Sequence, residues 1–190
     1  MLGRVTRERF LSDSELERFM AAVRERRHVH QPRDHALFAL LANTGIRPSE
    51  AVALTRGDLN LDAKRPWIRV GRLKKKDVRK FDELAIPARL AEILSGYVAS
   101  PLMLGNDRLF RITRRQIERL FHHYRRIAGL RRVKLYILRH TAGTRIYRAT
   151  RNIAIVQAVL GHEKPETSAI YAHIPGAVLK ELADGLPAFV

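Results

Sequence analysis

Apolar residues in this chain recur at helical spacing on both sides of one interruption, and that interruption constrains the fold most. From Trp67 to Ile86 the period changes. Trp67-Ile68-Arg69-Val70 and Phe81-Asp82-Glu83-Leu84-Ala85-Ile86 alternate, or run apolar, as strands do. Gly71 to Lys80 joins them and holds six Lys or Arg. The pattern predicts a fold that is mainly α, with a small antiparallel β-hairpin or sheet and a strongly basic turn.

The helical parts carry their own punctuation. Ser12 followed by Glu15 reads as a capping box ahead of Leu16, Phe19, Met20 and Val23. A second helix is expected from about Arg33 to Asn43, with Ala36, Leu37, Leu40 and Leu41 on one face and Gly45 as its left-handed stop. A short helix follows from about Ser49 to Leu54, and another from about Ala88 to Val98. Thr113 with Gln116 caps a helix to Ala128, which Gly129 ends. Ile117, Leu120, Phe121, Tyr124 and Ile127 form its apolar stripe. Further helices are expected at about Leu138 to Thr150, Ile153 to Leu160, Glu166 to Tyr171 and Ala177 to Ala183. No linker or low-complexity tract divides the chain, so residues 1–190 read as a single domain.

Charge narrows the partner. The 190 residues include 36 Lys and Arg against 19 Asp and Glu, a net +17. Such an excess in a chain with 46% hydrophobic residues points to a polyanion: DNA, RNA or an acidic membrane surface. The absence of Cys excludes disulfides, thiolate catalysis and cysteine-based metal sites. No stretch reads as a signal-peptide core or a transmembrane run, which makes a cytoplasmic protein without a membrane partner the expectation. The helix after Thr113 is the most basic. Arg114, Arg115, Arg119, Arg125 and Arg126 project from it, with Glu118 its only acid. Exposed helix faces ordinarily mix signs, so this one is read as lying along phosphates or in a major groove. Arg131 and Arg132 extend the basic run.

Four residues have the spacing of phosphodiester chemistry. Tyr171 lies 32 residues after Arg139 and nine after His162 of the Gly161-His162 pair. Arg47 sits upstream in Thr44-Gly45-Ile46-Arg47-Pro48-Ser49-Glu50. A tyrosine can attack phosphorus if cations stabilise its phenolate. Two guanidiniums match the non-bridging oxygens of a phosphate, and a histidine adds a donor. Glu50 is placed to accept a hydrogen bond from Arg47 and fix its fork. Each residue also has an ordinary structural reading: core tyrosine, buried ion pair, capped helix start, helix-end histidine. Their conjunction beside a lysine-rich hairpin favours the chemical one.

The motifs Leu41-Ala-Asn-Thr-Gly-Ile-Arg-Pro-Ser-Glu50, Leu138-Arg-His-Thr141, Leu160-Gly-His162 and Tyr171-Ala-His173 resemble those of the tyrosine recombinases of the phage-integrase type. The resemblance covers the catalytic domain, roughly Phe10 to Gly185. It implies that Arg47 and Arg139 are the two catalytic arginines, His162 the donor and Tyr171 the nucleophile of a 3′-phosphotyrosyl intermediate. It also implies a catalytic lysine in the hairpin. Lys74 fits, in an Arg72-Leu73-Lys74 step similar to that of the short fimbrial phase-variation invertases, with Lys76 as runner-up. Arg72, Lys75 and Lys76 would then contact DNA. The implied partner is double-stranded DNA carrying recombination sites, bound by a homotetramer, with no cofactor and no metal ion. The implied origin is bacterial, phage or mobile-element. Two departures stand out. Tyr136 occupies the place, three residues before Arg139, where such enzymes usually carry His or Lys. Only 46 residues precede Arg47, enough for two lead-in helices and not for an N-terminal core-binding domain. A type IB topoisomerase-like activity, or a non-catalytic DNA-binding relative, are the alternatives left open.

Overall fold

The computed structural model describes residues 10–62, 64–73, 79–103, 105 and 107–161. Among these are seven α-helices and one small sheet. In chain order they are α1 (Asp13–Glu25), α2 (Gln31–Thr44) and α3 (Pro48–Ala53), then β1 (Leu59–Asn60), β2 (Trp67–Leu73) and β3 (Arg79–Ala85), then α4 (Ala88–Val98), α5 (Arg114–Ile127), α6 (Ile137–Thr150) and α7 (Ile153–Leu160). The sheet is antiparallel in the order β1-β2-β3, with Ile68 opposite Leu84 and Arg72 opposite Lys80. The two-residue β1, paired with Trp67 and Ile68, has no periodicity to betray it in sequence. The helices expected at 166–171 and 177–183 lie outside the described residues.

The caps act as their residue types dictate. Ser12 accepts from the Glu15 amide while Glu15 accepts from the Ser12 amide, closing a reciprocal box at the start of α1. Thr113 and Gln116 do the same for α5. Gly45 ends α2 at φ 64°. A side chain there would also collide, because a Cβ would sit 2.6 Å from Leu160 Cδ2. Gly45 therefore serves twice, as a left-handed stop and as the gap that lets α7 approach α2.

The core is organised around α2. Every residue from Ala36 to Ala42 is buried, not one face alone. A helix apolar all round is a central helix, and α2 packs against α1, α4 and α6. Phe19, Phe38, Phe121 and Tyr124 meet edge-on or tilted between α1, α2 and α5. The stripe on α5 is shorter than its periodicity predicted: Ile117, Phe121 and Tyr124 are buried, whereas Ile127 in the last turn is 57% exposed. A smaller apolar cluster of Ile146, Ile155, Val156 and Leu160 holds α7 on α6. Among the described residues no helix is long and apolar enough to cross a membrane.

Candidate active site

The ends of four helices and one strand converge on a group of arginines. Arg47 is the residue before α3, with Pro48 in the first turn where a missing N–H costs nothing. Its backbone N–H donates to Glu50 Oε2 at 2.7 Å, and its Nη1 donates to Glu50 Oε1 at 2.9 Å. Glu50 is thus held at both oxygens, is itself 4% exposed, and fixes the Arg47 side chain, a third of which remains exposed.

Arg139 lies in the first turn of α6 and is 3% exposed. A structural ion pair was the ordinary reading for such an arginine. It instead donates to two backbone carbonyls: Nη1 to Gly45 O and Nη2 to Leu160 O, both at 2.7 Å. Those carbonyls belong to the C-terminal ends of α2 and α7, where helix dipoles present partial negative charge. Two helix ends hold one guanidinium in a fixed plane. Its Nε is buried and has no partner among the described residues. Burial first, and the neighbouring positive charge of Arg47 second, lower the Arg139 pKa. The site therefore places two cations close together with a donor unspent, an arrangement that an anion relieves.

Tyr136 immediately precedes α6 and is 47% exposed, so its ring does not simply fill space beneath the helix. It stands beside the Arg139 guanidinium, 5.9 Å from Cζ to ring centroid, and meets the His140 ring edge-on at 4.9 Å. Gly161, left-handed at φ 65°, closes α7 directly before His162 in the chain. His162, Tyr171 and the hairpin residues Lys74, Lys75 and Lys76 lie outside the described residues.

Arg72 takes a place other than the expected DNA contact. It is 6% exposed, and its guanidinium is engaged inside the protein by Glu50, Asp82 and the Val159 carbonyl. The signal was in the sequence: alternation from Ile68 through Val70 puts residue 72 on the core face. On α5, Arg114, Arg115, Arg119 and Arg126 are exposed, as are Arg131 and Arg132 on the loop that follows. Arg125 is half-buried and spends Nη1 on the Leu130 carbonyl, closing the helix end. Arg114 pairs with Glu118 at 3.1 Å. Sequence reading missed the Asp34–Tyr124 link altogether. Asp34 is fully buried, accepts from Tyr124 at 2.7 Å, and is matched by Arg33.

The described residues thus form a mostly helical domain in which Arg47 and Arg139 are held in place near one another. Comparison with known proteins gives its family. A family model described as the phage integrase family matches residues 9–176, and the chain belongs to that family. It is 28% identical over 187 residues to tyrosine recombinase XerH of Campylobacter jejuni, covering 92% of this chain and 53% of that one. It is 29% identical over 181 residues to tyrosine recombinase XerD of Vibrio cholerae, covering 90% and 59%. Its fold is similar to the crystal structure of XerH site-specific recombinase bound to difH substrate in a pre-cleavage complex. The TM-score is 0.70 at 26% identity, over 87% of this chain and 50% of that chain. The chain thus spans about half the length of these relatives.

Proposed function

We propose that this chain is the catalytic domain of a site-specific DNA recombinase, with residues of about 10–185 forming the unit that breaks and rejoins strands. One observation carries the reading. Arg139 is pinned by the Gly45 and Leu160 carbonyls with its Nε unspent, next to Arg47, at the end of the helix that leads into His162. Family membership and the pre- and post-cleavage DNA complexes of XerH support it.

In this mechanism the Tyr171 hydroxyl releases its proton to solvent and attacks the scissile phosphorus as a phenolate stabilised by the nearby cations. A 3′-phosphotyrosyl bond forms and the bond to the 5′-oxygen breaks. Arg47, Arg139 and His162 hold the charge that develops on the non-bridging oxygens, the term expected to contribute most. Lys74 gives its proton to the departing 5′-oxygen. The 5′-hydroxyl of a partner strand then attacks the phosphotyrosine and releases Tyr171. The phosphodiester's energy is retained throughout, so no ATP is consumed. Guanidiniums supply the positive charge that a divalent ion supplies in other nucleases. The exposed arginines of α5, with Arg131 and Arg132, would track phosphates of duplex DNA, and four protomers would join two sites. We place the reaction in the cytoplasm.

The test is covalent capture. The protein is incubated with fragmented genomic DNA carrying nicks, denatured, and DNA retained on protein is sequenced. Recovery of one recurrent duplex, retained in EDTA, supports the reading. No retained DNA, or retention that EDTA abolishes and Mg²⁺ restores, overturns it. Recombination between two copies of the recovered duplex, rather than relaxation of one plasmid, separates a recombinase from a topoisomerase.

A further inference from the structure

Ile68 and Val70 of β2 are fully buried, and strand alternation turns Arg72 to the same side. A cation on a core face is costly unless matched. Arg72 is matched in three directions. Nη1 donates to Glu50 Oε2 at 2.9 Å, Nε to Asp82 Oδ2 at 3.2 Å, and Nη2 to the Val159 carbonyl at 2.9 Å. The guanidinium also packs on Gly161, where a Cβ would lie 2.8 Å from Cζ and Nε. One side chain therefore joins α3, β3 and the last turn of α7. Only a planar fork with five donors can reach acceptors so differently placed; an ammonium cannot.

What Arg72 joins is the machinery itself. Glu50 Oε2 is shared between Arg72 and the backbone N–H of Arg47, while Oε1 holds Arg47 Nη1. Val159 is adjacent to Leu160, whose carbonyl holds Arg139. Gly161 precedes His162, and Lys74 is two residues beyond Arg72 in the hairpin. We propose that Arg72 is a positioning residue for strand cleavage. It locks the Arg47–Glu50 pair, the end of α7 and the base of the lysine hairpin in one register, and it makes no contact with DNA. The inference rests on the proposed strand-cleaving function.

Two variants, Arg72→Lys and Arg72→Gln, test it. Arg72→Lys keeps the charge and loses the reach. Its single-turnover adduct formation on the captured duplex is expected to fall roughly ten- to a hundredfold, the cost of misplacing reacting groups, with DNA affinity within about twofold of wild type. Replacing the scissile phosphate by an uncharged methylphosphonate is expected to recover much of that loss, because a neutral centre no longer needs a well-placed Arg47; a general packing defect would not be rescued. Arg72→Gln, on a non-specific duplex, is expected to leave the salt slope of binding unchanged, whereas a phosphate contact would lower it by about one. Amide exchange at Arg47 and Gly161 is expected to rise together in the Arg72→Lys protein without DNA. Wild-type cleavage rates in Arg72→Lys, a reduced salt slope in Arg72→Gln, or unchanged exchange at both amides each overturn the proposal. Failure of the wild-type protein itself to form adduct would instead sink the strand-cleaving reading, and the slope and exchange results would still decide whether Arg72 ties the protein or touches phosphate.

Discussion

Arg139 feels the attraction of Glu50 but bonds to no carboxylate among the described residues; its two short bonds go to peptide carbonyls. Such bonds orient a guanidinium without neutralising it, so its charge stays available to a phosphate. Arg139→Lys should therefore keep the charge and lose the plane. Expected is a loss of roughly a hundredfold or more in adduct formation, comparable to removing an oxyanion donor, measured as single-turnover cleavage. Tyr171→Phe keeps the ring and removes the attacking oxygen. It should bind the captured duplex as wild type does and yield no protein–DNA band on a denaturing gel. Any such band would remove Tyr171 as nucleophile. Tyr136 stands half-exposed beside Arg139. If its hydroxyl donates to the phosphate, Tyr136→Phe should slow cleavage by roughly ten- to a hundredfold, the worth of one charge-assisted hydrogen bond of about 1.5–3 kcal/mol. Equal rates would leave the ring only a packing role.

Elements meet at this site because glycines let them. Gly45 at the end of α2 and Gly161 at the end of α7 are both left-handed, and both lie where a Cβ would strike a neighbour. Gly45→Ala would meet Leu160 Cδ2 at 2.6 Å as well as the conformational penalty. The two effects together should destabilise the fold by about 2–4 kcal/mol in chemical denaturation. Wild-type stability would mean that α7 can retreat without loss. The hairpin is the element whose chemistry is tested by substrate rather than by stability. Lys74→Ala should slow cleavage, and a bridging 5′-phosphorothiolate should restore it, since a sulfur leaving group needs no general acid. Rescue of Lys76→Ala in its place would move the role two residues along.

At the scale of the whole molecule, α5 is fastened to α2 by a buried polar link. Tyr124 donates to Asp34 and lies 3.1 Å from His28 Nε2. Burial raises the Tyr124 pKa beyond the usual phenol range, with Asp34 adding to the effect. Burial also lowers the pKa of His28 and His35 from 6.5, overcoming the attraction of Asp34 for His28. A histidine held below its unfolded value binds fewer protons folded than unfolded. Stability is then complete above about pH 6.5 and declines as pH falls below it. Thermal unfolding from pH 7.5 to 5 should show a falling midpoint, with a shallower decline in His28→Gln. A midpoint constant over that range would contradict the assignment. DNA binding should meanwhile weaken steeply with salt, through counterion release by the exposed arginines of α5.

The sequence alone determined what depends on neighbours in the chain. The capping boxes at Ser12 and Thr113, the stops at Gly45 and Gly129, and the switch to period two at Trp67 are local, so they could be read without coordinates. The recombinase motifs were legible for the same reason, each being a short run of residues. Pairing across distance was decided only by the tertiary structure. Periodicity showed one apolar face on α2, but three packed helices made it central. Ile127 kept the right spacing yet found nothing to cover it. Arg72 looked like one more cation in a basic hairpin, until Glu50, Asp82 and Val159 closed around it. Arg139 was legible as a guanidinium suited to phosphate, but not that the ends of α2 and α7 would hold it. A residue's type and spacing state what it can bond. Which acceptor reaches it depends on chain segments as far as 130 residues away, and those are brought together only by burying the core.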